Sequence, residues 1–117
     1  MAFEEKFLGQ LAPTSVSPET LFTATKKTII KTIIVCNIGT ANKFNRFSIY
    51  YSPSGAFYNT GTALYFNTSI PAPIGNEINN VKQINTFIVL NPGGSIGVQC
   101  FLGAGSITFS MFGAEID

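Results

Sequence analysis

The chain of 117 residues contains no histidine and no tryptophan, and Lys, Arg, Asp and Glu together make up only 11% of it. Histidine is the usual neutral-pH base, proton shuttle and commonest metal ligand, so its absence excludes a Ser-His-Asp or Cys-His site. Paired-carboxylate chemistry fares no better. Glu77 is the only acidic residue between Glu19 and Glu115, and glycoside hydrolysis needs two converging carboxylates. Zinc would require His or clustered Cys and calcium several carboxylates, and the composition offers neither set. Gly93 and Gly94 lack the lysine and following helix of a phosphate loop and read as a turn. The expectation is a protein that is not an enzyme and uses no cofactor or metal.

Charge of either sign is too sparse to build a field. The net charge of +1 offers no grip on nucleic acid or an anionic membrane. The opening MAFEEKFLGQ is acidic where a signal peptide is basic, and no apolar stretch approaches a membrane span, so the chain is expected to be made and kept in a cytoplasm. Two cysteines, Cys36 and Cys100, are too few for a disulfide framework. Both are expected on inward strand faces. A bridge between sheets is then geometrically open, but buried thiols are the preferred reading in a reducing compartment.

What the chain has in place of charge is 45% hydrophobic residues, spaced for strands. Thr28 to Gly39, TIIKTIIVCNIG, is the longest β-favouring run and is apolar on both pleated faces. Strict alternation puts Ile30, Thr32, Ile34, Cys36 and Ile38 on one face and Ile29, Lys31, Ile33 and Val35 on the other. One face should fill a core, and the second, with Ile29, Ile33 and Val35, is too apolar for open water and is expected to be covered by a neighbouring element of the chain or, as a partner-binding face, by another copy of the protein. TLFTAT before it, Thr20 to Thr25, is expected to pair with it as a hairpin. Phe44 to Ser52 reads as a strand with one wetter face near a sheet edge, and Ala63 to Ile70 as a further strand. Ile84 to Leu90 reads as a central strand, followed by the NPGG turn. SIGVQCFLG and SITFSMFGAEI read as a closing hairpin through Gly103 to Gly105.

These elements predict an all-β fold, a single-domain antiparallel β-sandwich of seven to eight strands, Ig-like or jelly-roll. Residues 1–17 are expected to be an arm outside a domain spanning 18–117, with Phe3, Phe7 and Leu8 anchoring it to a neighbour; the alternative is that it lies along its own sheet as an edge strand. The loop Pro53 to Gly61 carries Phe57 and Tyr58 and is expected to project as a contact loop. Tyr50, Tyr51, Phe57, Tyr58 and Tyr65 offer rings that sugars stack on, although most aromatics here are phenylalanine without a polar handle.

The order of segments is a further observation: FLGQLAP, TLFTAT, a strand ending IIVCNIGT, ALYFNTSI, SIGVQC and a terminal ITFSMFGAEI. It resembles a group of small β-sandwich virion proteins of tailed bacteriophages, which share an LGQ-x-AP start, a VVCN-G strand, a Tyr- or Phe-rich strand and an F-x-x-FG-x-EI end. The similarity covers nearly the whole chain, departing at Thr25 to Thr28, TKKT, from a Pro-Ala-Gly type of turn. The resemblance implies a non-enzymatic structural protein of the virion, made in the host cytoplasm. The first expectation is a capsid decoration or cement protein that contacts the major capsid protein. The alternative is a tail or fibre tip module that binds a host receptor glycan. The bare apolar strand face and the low charge also predict a homo-oligomer, with a trimer as first choice.

Overall fold

The computed structural model describes residues 3–39, 45–71, 80–102 and 106–116. Eight strands run in chain order: β1 Phe3–Leu11, β2 Glu19–Thr23, β3 Lys27–Asn37, β4 Asn45–Ser52, β5 Ala63–Ile70, β6 Val81–Leu90, β7 Ser95–Cys100 and β8 Ile107–Ile116. They form two four-stranded sheets, A in the order β1-β8-β3-β6 and B in the order β2-β7-β4-β5. The expected β-sandwich is the fold. Its pairings nest: β4 with β5, β3 with β6, β2 with β7 and β1 with β8, all antiparallel. The chain is in effect one long hairpin bent back at residues 53–62 and rolled up, with β3 against β8 and β4 against β7 sealing the roll. That is the jelly-roll arrangement, not the Ig-like one.

Rolling explains where local reading fails. β2 pairs with β7 and β3 lies in the opposite sheet, so the expected TLFTAT hairpin does not form. β7 and β8 are likewise divided between sheets, although residues 103–105 of their connection lie outside the described residues. β4, expected near an edge, is flanked by β7 and β5, whereas β6, expected centrally, is an edge strand. The arm is corrected too. Residues 3–11 pair with β8 from Phe3↔Ile116 to Leu11↔Phe109, and Leu8 and Leu11 pack on the core. An edge of β8 left bare would waste a row of backbone hydrogen bonds, and β1 fills it. The expected boundary at residue 17 falls in the β1–β2 connection, where the Glu19 carboxylate accepts hydrogen bonds from the Thr14 and Ser15 amides.

Between the sheets, Phe47, Ile49, Ile96, Val98 and Cys100 of sheet B face Ile30, Ile33, Val35, Phe109 and Met111 of sheet A, all buried. Phe47 and Phe109 meet edge to face across the sandwich with ring centroids 6.1 Å apart. Strand β3 reaches this core from two phases, because its register with both neighbours slips between Ile30 and Thr32. Lys31 is the extra residue against β8, while against β6 the extra residue lies on β6, and the alternation of β3 is reset so that Ile30 and Ile33 both point inward. This overturns the expected second face: Ile33 and Val35 are core residues and only Ile29 stays outside. The same reset turns Cys36 outward while Cys100 is buried, and the two are not joined in a disulfide. Opposite the slip, β8 needs Gly113, since a Cβ there would collide with the Ile29 carbonyl oxygen.

Asparagines close one end of the roll. Asn37 donates to the Ile70 and Pro71 carbonyls while its Oδ1 accepts from the Gly39 amide. Asn45 accepts from the Leu102 amide and donates to the Ser106 hydroxyl. Both side chains are buried and hydrogen-bonded, as buried amides must be.

Candidate interaction surface

The outer face of sheet B is lined by small side chains, with Ser48 and Ser52 on β4 and Ser95 and Gly97 on β7, all buried although they point away from the core. The Ser48 hydroxyl accepts from the Asn67 amide of β5, and the connection 53–62 lies over Ser52, Ser95 and Gly97. Its start is fixed by the Ser52 hydroxyl, which accepts from the Phe57 amide, and its end by a capping box between Asn59 and Thr62. Tyr58 lays its ring on Gly97, where a Cβ would stand 2.6 Å from the ring atoms. Its hydroxyl bonds the Thr20 hydroxyl at 2.8 Å and the Ser95 hydroxyl at 2.9 Å. The ring of Tyr50 lies 5.8 Å away, and its hydroxyl donates to Gln99, whose amide in turn donates to the Val16 carbonyl. The loop expected to project thus sends out Phe57, 67% exposed, and turns Tyr58 inward as a latch.

Sheet A has no such cover among the described residues. On its outer face Phe7 of β1 sits opposite Phe112 of β8, their rings 5.4 Å apart in an edge contact and both exposed. Across β3, whose Ile29 and Ile34 are half-buried, β6 adds Phe87, 76% exposed, and Val89. The charges in the middle of this face, Glu5 and Lys31, are joined to each other. A second apolar surface lies on the sheet B side: Leu64, Phe66 and Leu102 are exposed, and Phe66 meets Phe101 at 6.3 Å, nearly perpendicular.

Of the residues expected to bind partners, the structure brings Phe7 and Ile29 together on the outer face of sheet A and leaves Phe57 exposed on the other side. Leu8 turns toward the core, Ile33 and Val35 lie within it, and Tyr58 holds a loop. Phe3 opens β1, but its side chain lies outside what is described. Phe87, Val89, Phe112 and Phe66 were missed. One signal was present: the odd spacing of Phe109 and Phe112 on a strand must send one ring in and the other out.

Among the described residues no three His, Cys, Asp or Glu side chains gather as metal ligands. Glu77 lies outside the described residues. What the surface offers is apolar contact area with little charge. Comparison of the chain with protein-family models, with curated proteins and with solved structures gives no match.

Proposed function

We propose that this is a non-enzymatic structural protein of a tailed-bacteriophage virion, a capsid decoration or cement protein that holds shell subunits together by protein contacts. The observation that carries the reading is the presence of two separate apolar surfaces on opposite sheets, the Phe7, Phe112 and Phe87 face and the Phe66, Phe101 and Leu102 corner. A cement must touch two neighbours at once, and contiguous exposed apolar area is the usual mark of protein contact. The small jelly roll is a fold that viral shells employ, which supports the reading by analogy only. The resemblance in the segments FLGQLAP and ITFSMFGAEI points the same way.

Cryo-electron microscopy of purified particles tests it. The expected result is density for one jelly roll at repeated sites on the capsid exterior. Density at the tail or fibre tip would replace cement with the tail module, and absence of the protein from particles would overturn the virion reading altogether.

A further inference from the structure

We infer that the outer face of sheet A is the interface of a two-fold homodimer, in which two copies stack sheet on sheet. The inference rests on the virion reading only for its biological setting. Physically it begins with charge. Among the described residues, apart from Lys27 at one end, the face carries Glu5 and Lys31, and these neutralise each other within the chain. Such a face neither repels its own copy nor selects an acidic or basic partner.

Area is the second argument. Four strands about 4.8 Å apart, with ten residues rising about 3.3 Å each, present roughly 19 by 33 Å, or on the order of 600 Å². Two copies together would bury about 1,200 Å², the lower end of the range for a specific complex. The rings lie where stacking needs them: Phe7 and Phe112 on one side of the face, Phe87 and Val89 on the other. A half-turn about an axis near the Glu5–Lys31 pair sets the Phe7–Phe112 side of one copy on the Phe87–Val89 side of its partner. Glu5 of each copy then approaches Lys31 of the other. A single self-complementary face closes at two copies, whereas the trimer expected from the sequence would need two different patches.

Sedimentation velocity on the purified full chain at micromolar concentration tests the inference, with particle co-sedimentation run in parallel. The wild type should sediment at twice its 12.6 kDa. Phe87→Lys, at the most exposed ring, should sediment at the single-chain mass with unchanged circular dichroism. Glu5→Lys should weaken the dimer at least tenfold through like-charge contact, and Glu5→Lys with Lys31→Glu should restore it. A wild-type monomer that still binds particles would overturn the dimer and leave the virion reading intact. A wild-type monomer whose particle binding is abolished by Phe87→Lys would hand this face to a shell protein and also overturn the dimer. A dimer that ignores particles would uphold the inference and count against the virion reading.

Discussion

The two outer faces of this sandwich are finished in opposite ways. Sheet B presents serines and a glycine on β4 and β7 that its own loop covers in part, with Leu64 and Phe66 of β5 left bare at one edge, while sheet A presents Phe7, Phe112 and Phe87 and stays open. Small polar side chains allow a backbone segment to lie close and share hydrogen bonds, as Tyr58 does with Thr20 and Ser95. Rings standing up from a sheet prevent that approach. The bare apolar face is what carries the proposal that another molecule covers it.

The comparison can be broken experimentally. The largest effect is expected from deleting residues 1–10, which strips most of β1 from β8 and uncovers the core side of sheet A. Stability should fall by more than about 3 kcal/mol, since ladder hydrogen bonds and the packing of Leu8 are lost together. A thermal melt within a few degrees of wild type would instead mean that β1 is a loosely held arm. Gly113→Ala forces β8 away from the Ile29 carbonyl and should cost about 3 kcal/mol in chemical denaturation. Tyr58→Phe keeps the ring on Gly97 but leaves the Thr20 and Ser95 hydroxyls without it, for about 1 kcal/mol. The cover of sheet B should then open, read as faster proteolysis between residues 53 and 62. The smallest effect on stability belongs to sheet A: in a sample dilute enough to hold single chains, Phe87→Ser should change it by less than about 0.5 kcal/mol, because the ring then touches mostly solvent. A large loss there would show that the ring supports the fold itself.

Composition and alternation sufficed for the class of fold and for the bounds of most strands: Ala63–Ile70 was legible to the residue. They did not suffice for which strands meet. Neighbours in sequence part to opposite sheets because a rolled hairpin pairs β2 with β7 and β1 with β8, and no local turn signal encodes a partner as far away as Glu19 is from Val98 or Phe3 from Ile116. One bulged residue had the widest consequence for the site. Lys31 reverses the phase of β3, so Ile33 and Val35, which simple alternation sends outward, fill the core, and Cys36, which it sends inward, faces out. β4 looked wet because Arg46, Ser48 and Tyr50 alternate with apolar residues, yet Tyr58 of the connection that follows the strand packs beside Tyr50, and the Asn67 amide of β5 bonds Ser48. The exposed rings of β6 and β8 were hidden in plain composition, since phenylalanine reads as core until the register is known.

The central proposal is that the face of sheet A meets a second copy of the chain while the Ser95–Gly97 region of sheet B is already covered by Tyr58. Hydroxyl-radical footprinting of the purified chain, read by mass spectrometry in dilute and concentrated samples, tests it most directly. Phe7, Phe87 and Phe112 should lose reactivity together on concentration while Phe57, exposed on the opposite side, keeps its own. Unchanged reactivity at Phe7, Phe87 and Phe112, with protection arising at Phe57 instead, would contradict the account.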